Sequence, residues 1–151
     1  MSVIRTRLRA VRRSARLGFL GAVLGMTAFI ALPATPASAS LSQCASGYIC
    51  VWNATGYTDG PGSFAGSNQN WSLFSHSTCP SGTWNNCASS IYNHGSSGLG
   101  VNVYVDIDYA TGSLCVPQGA GASDLSVWQY TNGANANNSI SSNFWTSTCH
   151  S

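Results

Sequence analysis

The sequence repeats itself. Shifted by 52 positions, Val51 falls on Val103, Tyr57 on Tyr109, Gly60 on Gly112 and Leu73 on Leu125, while Asn85, Asn86, Ser89 and Ser90 fall on Asn137, Asn138, Ser141 and Ser142. Similar pairs join them: Ile49 with Val101, Trp52 with Tyr104, Tyr92 with Phe144. One register held over so long a stretch marks two tandem units, residues 46–97 and 98–149, with no gap between matched positions.

Each unit reads as β structure. Val101, Val103, Val105 and Ile107 alternate with Asn102, Tyr104, Asp106 and Asp108, a period of two that puts the apolar set on one face and leaves Asp106 and Asp108 together on the other. Gly, Asn, Ser and Pro clusters such as Asp59-Gly60-Pro61-Gly62 cut the chain into short runs, and no helical stripe follows the N-terminal segment. Two units with room for about four short strands each predict paired Greek keys packed as an all-β sandwich.

Charge narrows the function. All six basic residues, Arg5, Arg7, Arg9, Arg12, Arg13 and Arg16, precede an apolar run over Leu17–Leu32, which is followed by Pro33 and the small-residue site Ala37-Ser38-Ala39. This is the pattern of a secretory signal peptide over residues 1–39, and the apolar run is shorter than the roughly 20 residues a membrane span needs. Ser14, Ala15 and Arg16 after Arg12-Arg13 favour general export over the twin-arginine route. The expected mature chain, residues 40–151, carries Asp59, Asp106, Asp108 and Asp124 and no Lys or Arg, a net charge of −4. It is expected to be a secreted monomer with no membrane attachment, and nucleic acid is excluded as a partner because phosphate binding rests on Lys and Arg.

Six cysteines in a small exported domain imply three disulfides, with 15 possible pairings. Local spacing favours Cys44–Cys50 and Cys79–Cys87, leaving Cys115–Cys149. A cysteine metal site is the weaker reading, since no C-x2-C pair occurs.

The strongest chemical motif is the repeated N-N-x-x-S-S of Asn85-Asn86-Cys87-Ala88-Ser89-Ser90 and Asn137-Asn138-Ser139-Ile140-Ser141-Ser142. Asn carbonyls and Ser hydroxyls are hard oxygen donors of the kind Ca²⁺ takes, and they also tie turns to the backbone without a metal. Here the chain resembles the βγ-crystallin superfamily, whose calcium motif is [N/D]-[N/D]-x-x-[S/T]-S, one copy per Greek key. The resemblance implies a βγ-crystallin-like fold and two shared Ca²⁺ sites drawn from Asn85, Asn86, Ser89, Asn137, Asn138 and Ser141. Without a carboxylate, affinity is expected at the weak extracellular end, on the order of 10⁻⁴ to 10⁻³ M. Trp52 to Tyr57 and Tyr104 to Tyr109 keep the family's aromatic spacing, with Gly60 and Gly112 each one residue late.

A narrower resemblance spans most of residues 40–151. The opening C-x-S-G-Y-x-C-V-W of Cys44–Trp52, both motif copies and the leader are similar to secreted microbial peptidase inhibitors of βγ-crystallin-type fold, including inhibitors of thermolysin-like zinc proteases. The resemblance implies an extracellular protease as partner, a substrate-like loop as inhibitory device and Cys115–Val116 as its reactive bond. In the best-understood member the loop is closed by a second nearby cysteine, whereas here the next is Cys149, and Pro117 follows the bond. An independent argument limits the target, because without Lys or Arg the mature chain offers nothing to a trypsin-like pocket. Proteases that take Val or Leu fit better. The alternative is a calcium-binding module with a structural or surface-binding role and no protease target.

Enzyme motifs such as H-E-x-x-H, G-x-S-x-G and G-x-x-x-x-G-K are missing from the sequence, so no catalytic residue is expected. His76, His94 and His150 have no recognisable partner, and Asp106 with Asp108 reads as a solvated pair. Trp71, Trp84, Trp128 and Trp145 leave a carbohydrate-binding module open, against the commoner role of aromatics in packing.

Overall fold

The structure, a computed structural model, describes residues 40–149; the segment expected to be a signal peptide lies outside the described residues. Among these residues there are seven strands, four short 3-10 turns and no α-helix, and no helix is long and apolar enough to cross a membrane.

β1 (Tyr48–Trp52), β2 (Gly62–Phe64) and β3 (Ser90–His94) belong to the first repeat, and β4 (Gly100–Tyr104), β5 (Ser113–Val116), β6 (Gly121–Ala122) and β7 (Ser142–Thr146) to the second. All pairings are antiparallel, in two sheets of order β2-β1-β3-β6 and β5-β4-β7. Each sheet borrows an edge from the other repeat. β6 pairs with β3, and Asn68 pairs with Asn143 of β7 through reciprocal backbone hydrogen bonds of 2.8 and 2.9 Å.

Alternation sets the core. Ile49, Val51, Val101 and Val103 face inward and meet Ile91, Trp71, Leu125 and Ile140, all essentially inaccessible to water. Burying each such side chain contributes about 1.5–3 kcal/mol. A second cluster, Cys44, Cys50 and Trp52 with Tyr48, Tyr57 and Tyr92, forms from the alternate residues of β1. The cysteines lie as Cys44–Cys50, Cys79–Cys87 and Cys115–Cys149, with Cα separations of 5.8, 5.7 and 5.5 Å and no free thiol among the described residues.

Two expectations need correction. The period-two run from Val101 does not stay a strand: β4 stops at Tyr104, and Asp108 has φ 59° in a 3-10 turn spanning Ile107–Tyr109. Ser142 Oγ donates to the Asp106 carbonyl and accepts from the Tyr109 N–H, folding the hairpin over and leaving Ile107 45% exposed. Asp106 and Asp108 therefore do not form a pair on a strand face.

The repeat register is also broken and restored. Offset 52 holds for β1/β4, β2/β5 and β3/β7, but between them the Trp71 N–H bonds the Ser141 carbonyl as the Leu125 N–H bonds that of Ser89. Trp71 is thus the counterpart of Leu125, at offset 54, and Leu73 that of Val127. Two residues added after β5 are removed before the second Asn-Asn motif, so the identity of Leu73 with Leu125 is coincidental.

Candidate functional site

Both Asn-Asn motifs sit where the two repeats meet. Asn86 and Asn138 take left-handed backbone angles, φ 56° and 53°, which Asn tolerates better than most residues. That bend lets each motif bond the other: the Asn86 N–H donates to the Ile140 carbonyl and the Asn138 N–H to the Ala88 carbonyl, both at 2.9 Å. Side chains repeat the exchange, with Ser89 Oγ donating to Asn138 Oδ1 and Ser141 Oγ to Asn86 Oδ1, both at 3.1 Å. The last serines serve the hairpins. Ser90 Oγ joins the Ala54 carbonyl to the Tyr57 N–H as Ser142 does in the second repeat. The Tyr57 and Tyr109 hydroxyls are both pushed above the ordinary tyrosine range, chiefly by burial.

One feature of this junction is unsatisfied. The side-chain oxygens Asn85 Oδ1 and Asn137 Oδ1 are buried with no hydrogen-bond donor. A buried acceptor without a partner costs about 1–3 kcal/mol. A hard cation is one way to meet that cost, and the neutral oxygens of Asn85, Ser89, Asn137 and Ser141 are chemically suited to Ca²⁺. Among the described residues no group of three His, Cys, Asp or Glu is placed to hold a metal.

The Cys115–Val116 bond lies elsewhere, inside β5 at a sheet edge. Cys115 faces Asn102 and Val116 faces Val101 across the pairing. Val116 is only 4% exposed, and its carbonyl accepts from Nδ2 of the fully buried Asn93 at 2.9 Å. A side chain packed in the core cannot enter a protease pocket while the strand stays in place. The reactive bond implied by the resemblance is therefore not on a protruding loop.

The remaining candidates are dispersed. Trp71 and Trp84 are buried, so they are not sugar platforms, and Trp71 Nε1 donates to Asn143 Oδ1. His94 Nδ1 lies 2.7 Å from the Cys44 carbonyl, and His150 lies outside the described residues.

A polar cluster in the first repeat escaped the sequence reading. Asp59 accepts from Thr78 Oγ1 at 2.6 Å and Asn53 Nδ2 at 2.9 Å, and His76 Nε2 is 3.3 Å away. The Thr78 bond is the main reason the Asp59 carboxyl sits below the usual range. His76 stacks on Trp84 at 4.0 Å, and its Nε2 also lies 2.9 Å from Thr78 Oγ1. Because one ring nitrogen meets both groups, this is no nucleophile relay, in which a histidine uses its two nitrogens separately. It fastens the loop closed by Cys79–Cys87. Only the short spacing of His76 and Thr78 hinted at it.

Comparison with known proteins follows the same lines. No curated protein matches the chain. Among solved structures, one described as "Evolution of the eye lens beta-gamma-crystallin domain fold" superposes with TM-score 0.50 at 15% identity, over 68% of this chain and 87% of that one. A βγ-crystallin from Ciona intestinalis gives 0.48 at 14% identity, over 66% of this chain and all of that one. A βγ-crystallin domain from Clostridium beijerinckii gives 0.45 at 16%, over 67% and 99%. The first establishes the fold as βγ-crystallin-like. The model of peptidase inhibitor family I36 matches residues 37–116, more than half of the chain. Paired Greek keys, three bridges and that match together mean that the chain belongs to peptidase inhibitor family I36.

Proposed function

We propose that the protein is a secreted, non-enzymatic, monomeric inhibitor of extracellular peptidases with apolar specificity, thermolysin-like zinc peptidases foremost. The observation that carries this reading is family membership in a chain with no Lys or Arg after Arg16. Its three bridges suit an oxidising compartment. Because Val116 is buried, the segment that meets the target is a surface other than the Cys115–Val116 bond. Inhibition titrations against a thermolysin-like, a chymotrypsin-like and a trypsin-like peptidase test the proposal. Inhibition of the first at or below micromolar concentration is expected, and none of the third. Failure against all three refutes it.

A second reading is favoured by the unpartnered Asn85 and Asn137 oxygens. Ca²⁺ bound there would cross-link the two motifs, with Asn85, Ser89, Asn137 and Ser141 as its holders, and would stabilise the fold whatever the partner. At a dissociation constant near 10⁻³ M, 10 mM Ca²⁺ adds about 1.4 kcal/mol per site. Calorimetric titration and melting with and without Ca²⁺ check this. Replacing Asn85 and Asn137 by Ala should remove the response, and a response that survives refutes the site.

A further inference from the structure

The two 3-10 turns that follow the exchanged edges are built alike from different residues. In Asn70-Trp71-Ser72-Leu73-Phe74, Asn70 Oδ1 accepts from the Ser72 N–H, and Trp71 is fully buried. In Asp124-Leu125-Ser126-Val127-Trp128, the Asp124 carboxylate accepts from the Ser126 N–H, and Leu125 is fully buried. Each anchor bonds a Ser carbonyl of the opposite motif through its backbone N–H. Two positions later stand the most exposed large apolar side chains among the described residues. Leu73 and Val127 are each 78% exposed, and the aromatics that follow, Phe74 and Trp128, are 37% and 38% exposed.

Single exposed aliphatics are ordinary on protein surfaces. Here the exposure recurs at structurally equivalent positions although neither anchor nor aliphatic is the same residue, on turns pinned at cap and anchor. A pinned turn loses little conformational entropy when it is gripped. Each turn also has a carboxylate in its setting. Asp108 lines the same hollow of about 330 Å³ as Leu73 and Phe74, and Asp124 caps the turn of Val127. An apolar side chain on a negatively charged surface suits a zinc peptidase cleft, where an apolar pocket adjoins a cationic metal with an open coordination position. The 3-10 backbone, unlike an extended strand, does not align with a protease cleft as a substrate does.

We propose that Leu73 and Val127 are two separate plugs, each able to enter the apolar pocket of a target zinc peptidase as a rigid side chain rather than as part of a cleavable bond. This rests on the peptidase-inhibitor reading. The test uses protein purified from expression of the full chain, titrated against a thermolysin-like peptidase as wild type, Leu73→Ala, Val127→Ala and the double variant. Melting curves serve as the folding control, since neither side chain supports the core. The double variant should weaken inhibition at least about 10-fold, the scale of unburying one such side chain, with Leu73→Ala the larger single loss. Bound inhibitor should stay intact between Ser72 and Leu73 by mass spectrometry. A wild type that inhibits while the double variant loses less than about 10-fold overturns this proposal alone, as does cleavage at either turn. A wild type that does not inhibit overturns the functional reading and this one with it.

Discussion

The two repeats reach one backbone by opposite packing choices. In the first, Gly62 of β2 faces Trp84, so close that a Cβ on Gly62 would lie 2.6 Å from the indole Nε1. At the equivalent places in the second stand Leu114 and Ala136, both buried. Bulk has moved from the loop to the strand, and the volume between them is filled either way. The loops differ in the same spirit. Cys87 is tied to Cys79, while its counterpart Ser139 donates to the Asn135 carbonyl at 2.7 Å and lies 3.2 Å from the Tyr130 hydroxyl. Burial pushes that hydroxyl up to about 12, so it keeps its proton well above the pH at which an ordinary tyrosine loses one. The fold requires that these places be filled and tied, and leaves open which residue does it.

The largest expected effect comes from forcing one solution onto the other repeat. Gly62→Leu should destabilise by about 3 kcal/mol, at the upper end of overpacking, in urea or thermal denaturation. Gly62→Leu with Trp84→Ala should recover at least about 1 kcal/mol relative to additivity, because the pair then copies Leu114 and Ala136. Additive losses would break the comparison. Next, replacing Cys79 and Cys87 by Ser should cost about 2.5 kcal/mol from loop entropy, whereas Ser139→Ala should cost only about 1 kcal/mol. Equal losses would mean that the bridge does no more than the hydrogen bonds.

Part of this was legible in the sequence. Strand repeats and cysteine spacing are local signals, and β1, β4 and their partners follow from alternation. The Asn-Asn motifs were visible as residues, but not as a reciprocal junction, since the exchange joins atoms 49 and 55 residues apart. Nor could the offset of 54 be read. The insertion and the deletion cancel, and the chance match of Leu73 with Leu125 hid both. The volume exchange between Gly62 and Trp84 is invisible without knowing that they touch. The burial of Val116 follows from its place opposite Val101, a fact about pairing rather than about the Cys-Val dipeptide.

Smaller effects sharpen the contrast. Asp59 has no counterpart, since Thr111 occupies its position. Its carboxyl is held below the ordinary value by Thr78, so its contribution is present above the unfolded pKa and lost as pH falls through the lower folded one. Asp59→Asn should therefore flatten the loss of stability below about pH 4, an effect under about 1 kcal/mol because the group is partly exposed. Melting against pH measures it, and an unchanged acid limb would count against the cluster. Smallest of all, Asp108 has φ 59° where the first repeat has Gly56 at φ 68°. Asp108→Gly should be neutral or raise stability by up to about 1 kcal/mol, and a loss on melting would show that the carboxylate is needed there.

Strand exchange makes this a molecule that can be reassembled from halves. A chain cut near residue 97 yields two fragments, each missing the edge that the other carries, at Asn68 and at β6. Neither can complete its sheet, yet each holds a ready-made vacancy of the right register for the other. Mixed, the fragments should recover a βγ-crystallin-like fold, a complementing pair whose association reports on any inhibitory surface built across both.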